Sequence, residues 1–372
     1  MIVNLVVICF ILIAGLMFYE DAGIYADSRY FRKRYILLIC LILILQSGLR
    51  NWAVGADTYS YYESFENTKS LSWQQIWTIV TDYYTQNIGK DPGYSVFEKI
   101  SQIISPNYQI YLSIIAILFF SALGNFIFKN TTRLADAIFA FVLYSSLFYS
   151  FFSITGLRQT IATAGVLWSY EFIKKRKLLP FVLILLVSST IHKSALIFLP
   201  FYYIAQIKNT KYLYSMVTLL FILFMFFKVP VSAFFKRTGG YEDYIVPYEG
   251  SGTFTFTFML LLIGVIAFLQ MKFVIRKNRS VLPIYNAFAM AIVFTPLTWV
   301  NPSAMRVVQY YSIFMLLLIP NIIQSFRRYS LKAKRLAFSI VIAMLILLYI
   351  KGGMNSEYKF FWQEMEIREN YK

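Results

Sequence analysis

Long, predominantly apolar stretches recur along the whole chain and constrain it more than any other feature. About twelve stand out, at 2–18, 35–49, 108–128, 134–152, 155–173, 178–191, 194–207, 212–228, 254–275, 281–299, 304–324 and 336–350. Several reach the roughly 18 residues that a helix needs to cross a bilayer. No water-soluble interior could hold them all. Of the residues, 59% are hydrophobic and 14% charged, against about 45–50% and about 25% in ordinary globular domains. Mean hydropathy is +0.60. The expected fold is an all-α polytopic membrane protein, a single transmembrane domain over 1–372 with about twelve helices. Disordered, collagenous, disulfide-stapled and soluble dinucleotide-binding folds are excluded. Cys9 and Cys40 sit inside apolar runs, where a thiol behaves as a small hydrophobe. The first run, Ile2 to Phe18, lacks a basic leader and a small-residue cleavage site, so it reads as a retained helix.

The connections between the apolar stretches divide by charge. Those starting at 19, 129, 174, 208, 276 and 325, with Lys272 at a helix end, carry 21 of the 35 basic residues and five of the 18 acidic ones, a balance of +16. The other face holds 14 basic and 13 acidic residues, a balance of +1. Basic residues collect in cytoplasmic loops, so the first face is expected inside and both termini outside. The net charge of +17 is therefore explained by topology and anionic lipid; no nucleic-acid partner is expected.

The cytoplasmic turns are short. The outer side has a large loop (50–107), a second (229–253) and a C-terminal tail (351–372). Trp73, Ile76, Trp77, Val80, Tyr83 and Tyr84 recur at helical spacing, predicting an amphipathic helix along the outer leaflet. Function is expected on this side, because working residues cluster on loops held by a rigid scaffold. No internal repeat of the transporter kind is visible.

Four places put ionisable groups where an apolar helix meets the outside: Arg50 to Asp57, Arg158 after Gly156, His192-Lys193, and Arg306 after Pro302. Charge at membrane depth is costly unless paired or solvated, which makes each a functional candidate. The plainer alternative is a side chain reaching up to the headgroups. The His192 turn is sharper. Between Lys177 and Lys208 lie 30 residues that must cross the membrane and return. That leaves about 14 per crossing, or roughly 21 Å, against a core near 30 Å. The turn is expected in a recess below the outer surface. His192 is the only histidine, and a lone histidine can equally be a hydrogen-bonded packing residue. Arginines around a recess suit a lipid-linked pyrophosphate, since guanidinium binds phosphate in a fork. Trp52, Tyr59, Tyr61, Tyr62, Trp73 and Trp77 offer faces for sugar rings, or form an interfacial aromatic belt. Asp57, Glu63 and Glu66 are spread along a loop, with no clustered pair to hold a metal.

In order, Gly48-Leu49-Arg50-Asn51 with Val54-Gly55-Ala56-Asp57-Thr58-Tyr59, then Asp91-Pro92-Gly93-Tyr94 followed by Asn107-Tyr108-Gln109, then Leu157-Arg158-Gln159, and Ile191-His192-Lys193-Ser194-Ala195-Leu196 resemble the EpsG family, a branch of the Wzy-type polysaccharide polymerases. The resemblance implies a GT-C-like glycosyltransferase bundle with extracytoplasmic amphipathic helices, sited in the bacterial cytoplasmic (inner) membrane with its active site facing the periplasm or exterior. It implies polymerisation of undecaprenyl-pyrophosphate-linked repeat units for O-antigen, capsule or exopolysaccharide, with undecaprenyl pyrophosphate released and no cofactor or metal. Membrane lipid and a chain-length regulator of the Wzz type are the implied partners. On this reading Arg158 and Arg50 bind the pyrophosphate, with Gln159, Lys193 and Tyr59 as further binding residues. Arg306 is an inference from its outer-face position rather than a motif match. His192 is the candidate general base, its ordinary pKa near 6.5 being suited to the task. Asp57 orients His192, pairs with Arg50, or is itself the base. The competing readings are a metal-dependent GT-C transferase, a flippase or other transporter, and a membrane O-acyltransferase.

Overall fold

The computed structural model describes residues 2–55, 57–239, 252–353 and 358–365. Among these there is no strand, only one isolated antiparallel bridge, Arg50 to Phe360. The apolar stretches marked in the sequence overlap helical elements, although 194–207 holds only a 3-10 turn and the four-residue helix Phe201–Ile204. Four helices are long and apolar enough to cross a membrane, or up to six if two bent pairs each count as one span. The protein is a helical membrane protein. The chain forms two compact units, 1–171 with 183–192 and 339–372, and 172–182 with 193–338.

In the first unit, α1 (Ile2–Ala22) and α2 (Arg29–Gly48) lead to three helices of the 50–107 segment. These are α3 (Thr58–Ser70), α4 (Trp73–Gln86) and α5 (Pro92–Ile104). The 50–107 segment, expected as a large loop with amphipathic helices, thus carries three helices. Its boundaries follow from local chemistry. Ser72 Oγ accepts from Gln75 N–H (3.3 Å) while Gln75 Oε1 accepts from Ser72 N–H (2.7 Å), a reciprocal cap that starts α4. Asn87, in the left-handed region (φ 57°), ends it. The chain then enters α6 (Tyr108–Asn130), capped by Asn107, and α7 (Leu134–Leu147). Small residues let these helices approach closely. A Cβ on Gly124 would fall 2.6 Å from Cys40 Sγ on α2, and one on Gly15 would fall 2.6 Å from Ile138 Cδ1 on α7. After α7 comes a π-helical stretch, Ser150–Thr155, and then α8 (Leu157–Lys174). Next is α9 (Leu178–Ile191), of 14 residues, the length expected for each arm of the short hairpin. The outer helices share one core, in which Phe65, Tyr94, Tyr108, Tyr111, Leu157 and Ile191 are buried together.

The second unit, which already takes in 172–182 at the end of α8 and the start of α9, resumes after His192 with the 3-10 turn Lys193–Phe198 and α10 (Phe201–Ile204). It continues through α11 (Thr210–Phe226), α12 (Lys228–Gly239), α13 (Gly252–Lys277), α14 (Leu282–Phe294), α15 (Met305–Ser312) and α16 (Met315–Ser325). The α11–α12 pair bends by 87° and the α15–α16 pair by 59°. The loop expected over 229–253 thus opens as α12; its 240–251 part lies outside the described residues, as does the expected tail except for 351–353 and 358–365. The turn after His192 is fastened to α15, with Ser194 Oγ 3.2 Å from the Tyr310 hydroxyl and the Tyr311 hydroxyl donating to Ile197 O at 2.6 Å. The last helix, α17 (Leu331–Gly353), leads back to the first unit.

Candidate active site

The stretch Asp91-Pro92-Gly93-Tyr94 builds the centre of the first unit, and each residue is there for a separate reason. Asp91 takes a left-handed conformation (φ 49°), a region that aspartate tolerates better than most residues. Pro92 fills the first helical position, where no amide donor is needed. Gly93 lies against α9: a Cβ there would fall 2.2 Å from Thr190 Oγ1 and 2.8 Å from the Thr190 carbonyl carbon. That contact brings the start of α5 onto the end of α9, where His192 stands. Asp91 Oδ2 is then 3.4 Å from His192 Nδ1 and 3.5 Å from Arg158 Nη1. One carboxylate oxygen is shared by an imidazole and a guanidinium. Both distances are at the long end of hydrogen bonding, as is common in sites without substrate. The Asp91 and His192 side chains are only 4% and 3% exposed, whereas Arg158 is 26% exposed. The pair lies behind an arginine that the surroundings can reach.

Aromatic rings hold that arginine. Its guanidinium carbon is 4.8 Å from the Tyr94 ring centre and 5.8 Å from that of Tyr61, cation–π range in both cases. Tyr61 and Tyr94 meet edge to face at 5.8 Å. One turn beyond Tyr94, Glu98 is fully buried, its Oε2 accepting from the hydroxyls of Ser64 (3.1 Å) and Thr68 (3.0 Å). Burial pushes its carboxyl up to about 7, against the opposing pull of those hydroxyls and of Arg158. Burial likewise raises the Tyr94 phenol well above its usual value.

Arg50 has a different setting. It is 1% exposed, donating from Nη1 to Ser47 O (2.8 Å) and from Nη2 to Ile154 O (3.1 Å). Ile154 belongs to the π-helical stretch that leads into Arg158. A π-turn shifts the backbone ladder, and three successive carbonyls of this one accept from side chains. Phe152 O accepts from Thr160 Oγ1 (2.7 Å), Ser153 O from Ser47 Oγ (3.0 Å) and Ile154 O from Arg50. A short segment after the last helix completes the corner. Asn51 N–H donates to Lys359 O (2.8 Å), Phe361 N–H to Leu49 O (2.9 Å) and the Tyr358 hydroxyl to Gln46 O.

The profile of the EpsG family matches residues 33–363. The chain belongs to the EpsG family. Membership suggests a polysaccharide polymerase-type role. No curated protein and no solved structure matches the sequence.

The stretches that carried the EpsG resemblance meet in the first unit as far as His192, with 193–196 in the second: the Arg50 corner braces the approach to Arg158, and Asp91 joins Arg158 to His192. The remaining candidate residues are distributed as follows. Asp57 is exposed at the start of α3, and its carboxylate makes no cap there. Among the described residues no hydrogen bond or ion pair links it to His192 or Arg50; the carboxylate at His192 is Asp91. Tyr59 stands next to Trp52, ring centres 6.3 Å apart, and its hydrogen bond to Glu63 raises its phenol pKa. Gln159 is buried beside Arg158 on α8. Lys193 and Arg306 are half-buried in the second unit, Lys193 in the 3-10 turn and Arg306 on the α15 helix that fastens it. Among the described residues no group of three or more His, Cys, Asp or Glu is placed to hold a metal ion. Sequence reasoning gave Asp91, Tyr94 and Glu98 no role. The sign for Asp91 was present, since an aspartate before Pro-Gly marks a special backbone position.

Proposed function

We propose that this EpsG-family protein polymerises undecaprenyl-pyrophosphate-linked oligosaccharide repeat units by glycosyl transfer, at the outer face of the bacterial cytoplasmic membrane. The twelve apolar segments are read as its spans, forming a GT-C-like bundle. The observation that carries the reading is the part-exposed Arg158, held between two tyrosine rings and backed by the buried Asp91–His192 pair. A guanidinium so held is a preorganised clamp for the charge that develops on a pyrophosphate leaving group. A phosphate oxygen competes with Asp91 for Arg158. Once Arg158 turns to phosphate, Asp91 is left to His192 and makes the imidazole more basic. The acceptor hydroxyl oxygen then bonds to the anomeric carbon of the donor glycan and its proton passes to His192. The bond from that carbon to the pyrophosphate oxygen breaks, and the electron pair leaves with undecaprenyl pyrophosphate. Arg50 supports this by bracing the π-turn, a role different from direct phosphate binding.

The test is deletion of the gene in its host, complementation, and gel analysis of the glycan. Single repeat units with the ladder lost, restored by the wild-type chain and not by Arg158→Ala, support the proposal. No exported repeat units at all would indicate a flippase, and polymerisation abolished by EDTA a metal-dependent transferase.

A further inference from the structure

Helix α4 carries two separate apolar stripes, and protein covers only one. Ile76 is buried and Ile79 and Tyr83 half-buried, at spacings of three and four, which is the stripe packed inward. A second stripe, turned by roughly a quarter of the helix circumference at 100° per residue, is formed by Trp73, Trp77, Val80 and Tyr84. Its large members are open, with Trp73 49%, Trp77 67% and Tyr84 64% exposed. No charged residue interrupts this stripe; Gln74, Gln75, Thr78, Thr81, Asp82 and Thr85 occupy the remaining arc.

Two tryptophans and a tyrosine on one open stripe have the composition of the membrane–water interface, where an amphipathic ring satisfies both media. The apolar surface continues towards the spans. On α5, Ile100, Ile103 and Ile104 are exposed, and α6, a membrane-length helix, begins at Tyr108. Ile110 and Ile117 on α6 are exposed in turn. Exposed apolar side chains thus recur from α4 through α5 to α6, and the open face of a membrane-length helix is one that lipid covers. At the end of α2, Trp362 is also exposed (60%) beside the Leu49–Phe361 hydrogen bond.

We propose that α4 lies in the outer leaflet with its Trp73–Trp77–Tyr84 stripe in the lipid interface, and that this anchor sets the depth of the Asp91 turn. Only Asn87 to Lys90 separate α4 from Asp91, so the helix and the turn cannot move far apart. On the proposed function, that depth is where the phosphates of a lipid carrier reside. The lipid contact itself is tested without any assay of activity, so it can fail or stand independently of that function.

The experiment is tryptophan quenching in vesicles of phosphatidylcholine and phosphatidylglycerol brominated at known acyl positions. The chain has six tryptophans, so the wild-type emission is compared with that of Trp73→Phe/Trp77→Phe to isolate the two on α4. Bromines near the headgroup end should lower that difference signal by about half or more, and bromines deep in the chain by less, as for a helix lying at the acyl boundary. Difference emission quenched by aqueous iodide and untouched by bromolipid would place the stripe in water. Emission insensitive to both would mean that protein covers it, and either result overturns the proposal. Should the double variant fold poorly, a nitroxide on Trp77→Cys, in a chain with Cys9 and Cys40 replaced by serine and alanine, reports the same depth. Higher collision rates with oxygen than with a water-soluble nickel complex are expected, and the reverse order refutes it.

Discussion

Glu98→Gln should make the protein less sensitive to alkaline pH. The wild-type carboxyl lies in the shared core of the outer helices, fully buried, with two hydroxyls donating to one of its oxygens. Its pKa is pushed from the ordinary carboxyl range up to about 7, chiefly through burial. At low pH the folded and unfolded chains both carry this proton. Between the ordinary carboxyl range and about 7 only the folded chain retains it, so unfolding releases a proton and stability falls as pH rises. Above about 7 that contribution is gone. At about 1.4 kcal/mol per pKa unit, the swing across the window is about 3 kcal/mol, a large part of the total stability of an ordinary domain. Glutamine has nearly the same shape, can still accept from Ser64 and Thr68, and does not titrate. Thermal unfolding of the detergent-solubilised wild type and variant, compared from pH 5 to 8.5, should therefore give curves that separate upwards, the variant gaining relative to the wild type as pH rises. Parallel curves would show that Glu98 is ionised in the fold at all these pH values and that the account of its burial is wrong.

Arg158→Lys keeps the charge but loses the fork, and should shorten polymer in a ladder gel, with an initial rate lower by about tenfold or more. Asp91→Asn and His192→Ala should each abolish polymer while leaving the protein in the membrane, measured by immunoblot alongside the glycan gel; full-length polymer from His192→Ala would remove it as the base. Gly93→Ala pushes a methyl into the Thr190 backbone and should cost about 1–3 kcal/mol, read as a lower melting temperature. Arg50→Met removes the donors to Ser47 O and Ile154 O, at about 1–3 kcal/mol for each carbonyl left buried and bare; Arg50→Lys should recover part of the loss in a melting curve.

Much of the architecture was legible because hydropathy is a local property. Most apolar runs became helices, four to six of them long and apolar enough to cross a membrane. The 14 residues of α9 match the length that basic stems left for the first arm of the hairpin, while the second arm holds a 3-10 turn and a four-residue helix. The 50–107 segment was read as a large loop with amphipathic helices, of which only the one over 73–84 was located; it forms three. The difference lies in α3, whose Tyr61, Tyr62 and Phe65 are aromatic rather than aliphatic and find their partners on α5 and α6. Arg158 and His192 were visible as charge at helix ends. Their partner was not, because Asp57 and Asp91 are equally plausible from spacing alone. What separates them is a left-handed residue and one glycine contact with Thr190, both set by tertiary packing. Arg50 illustrates the same limit: a charge at a helix end looks alike whether it faces a ligand or supports a carbonyl.

The corner around Arg50 also orders events in time. Its bridge partner, Phe360, is joined to it across more than three hundred positions of the chain, and a ribosome makes Phe360 long after Arg50. The spans, the Asp91 turn and His192 can all enter the membrane while that corner is still open. A chain stopped before Lys359 would hold Asp91, Arg158 and His192 and lack the brace behind the π-turn that leads into Arg158. The contact between residues 49–51 and 359–361 therefore makes the brace behind the π-turn depend on a segment synthesised long after the rest of that corner.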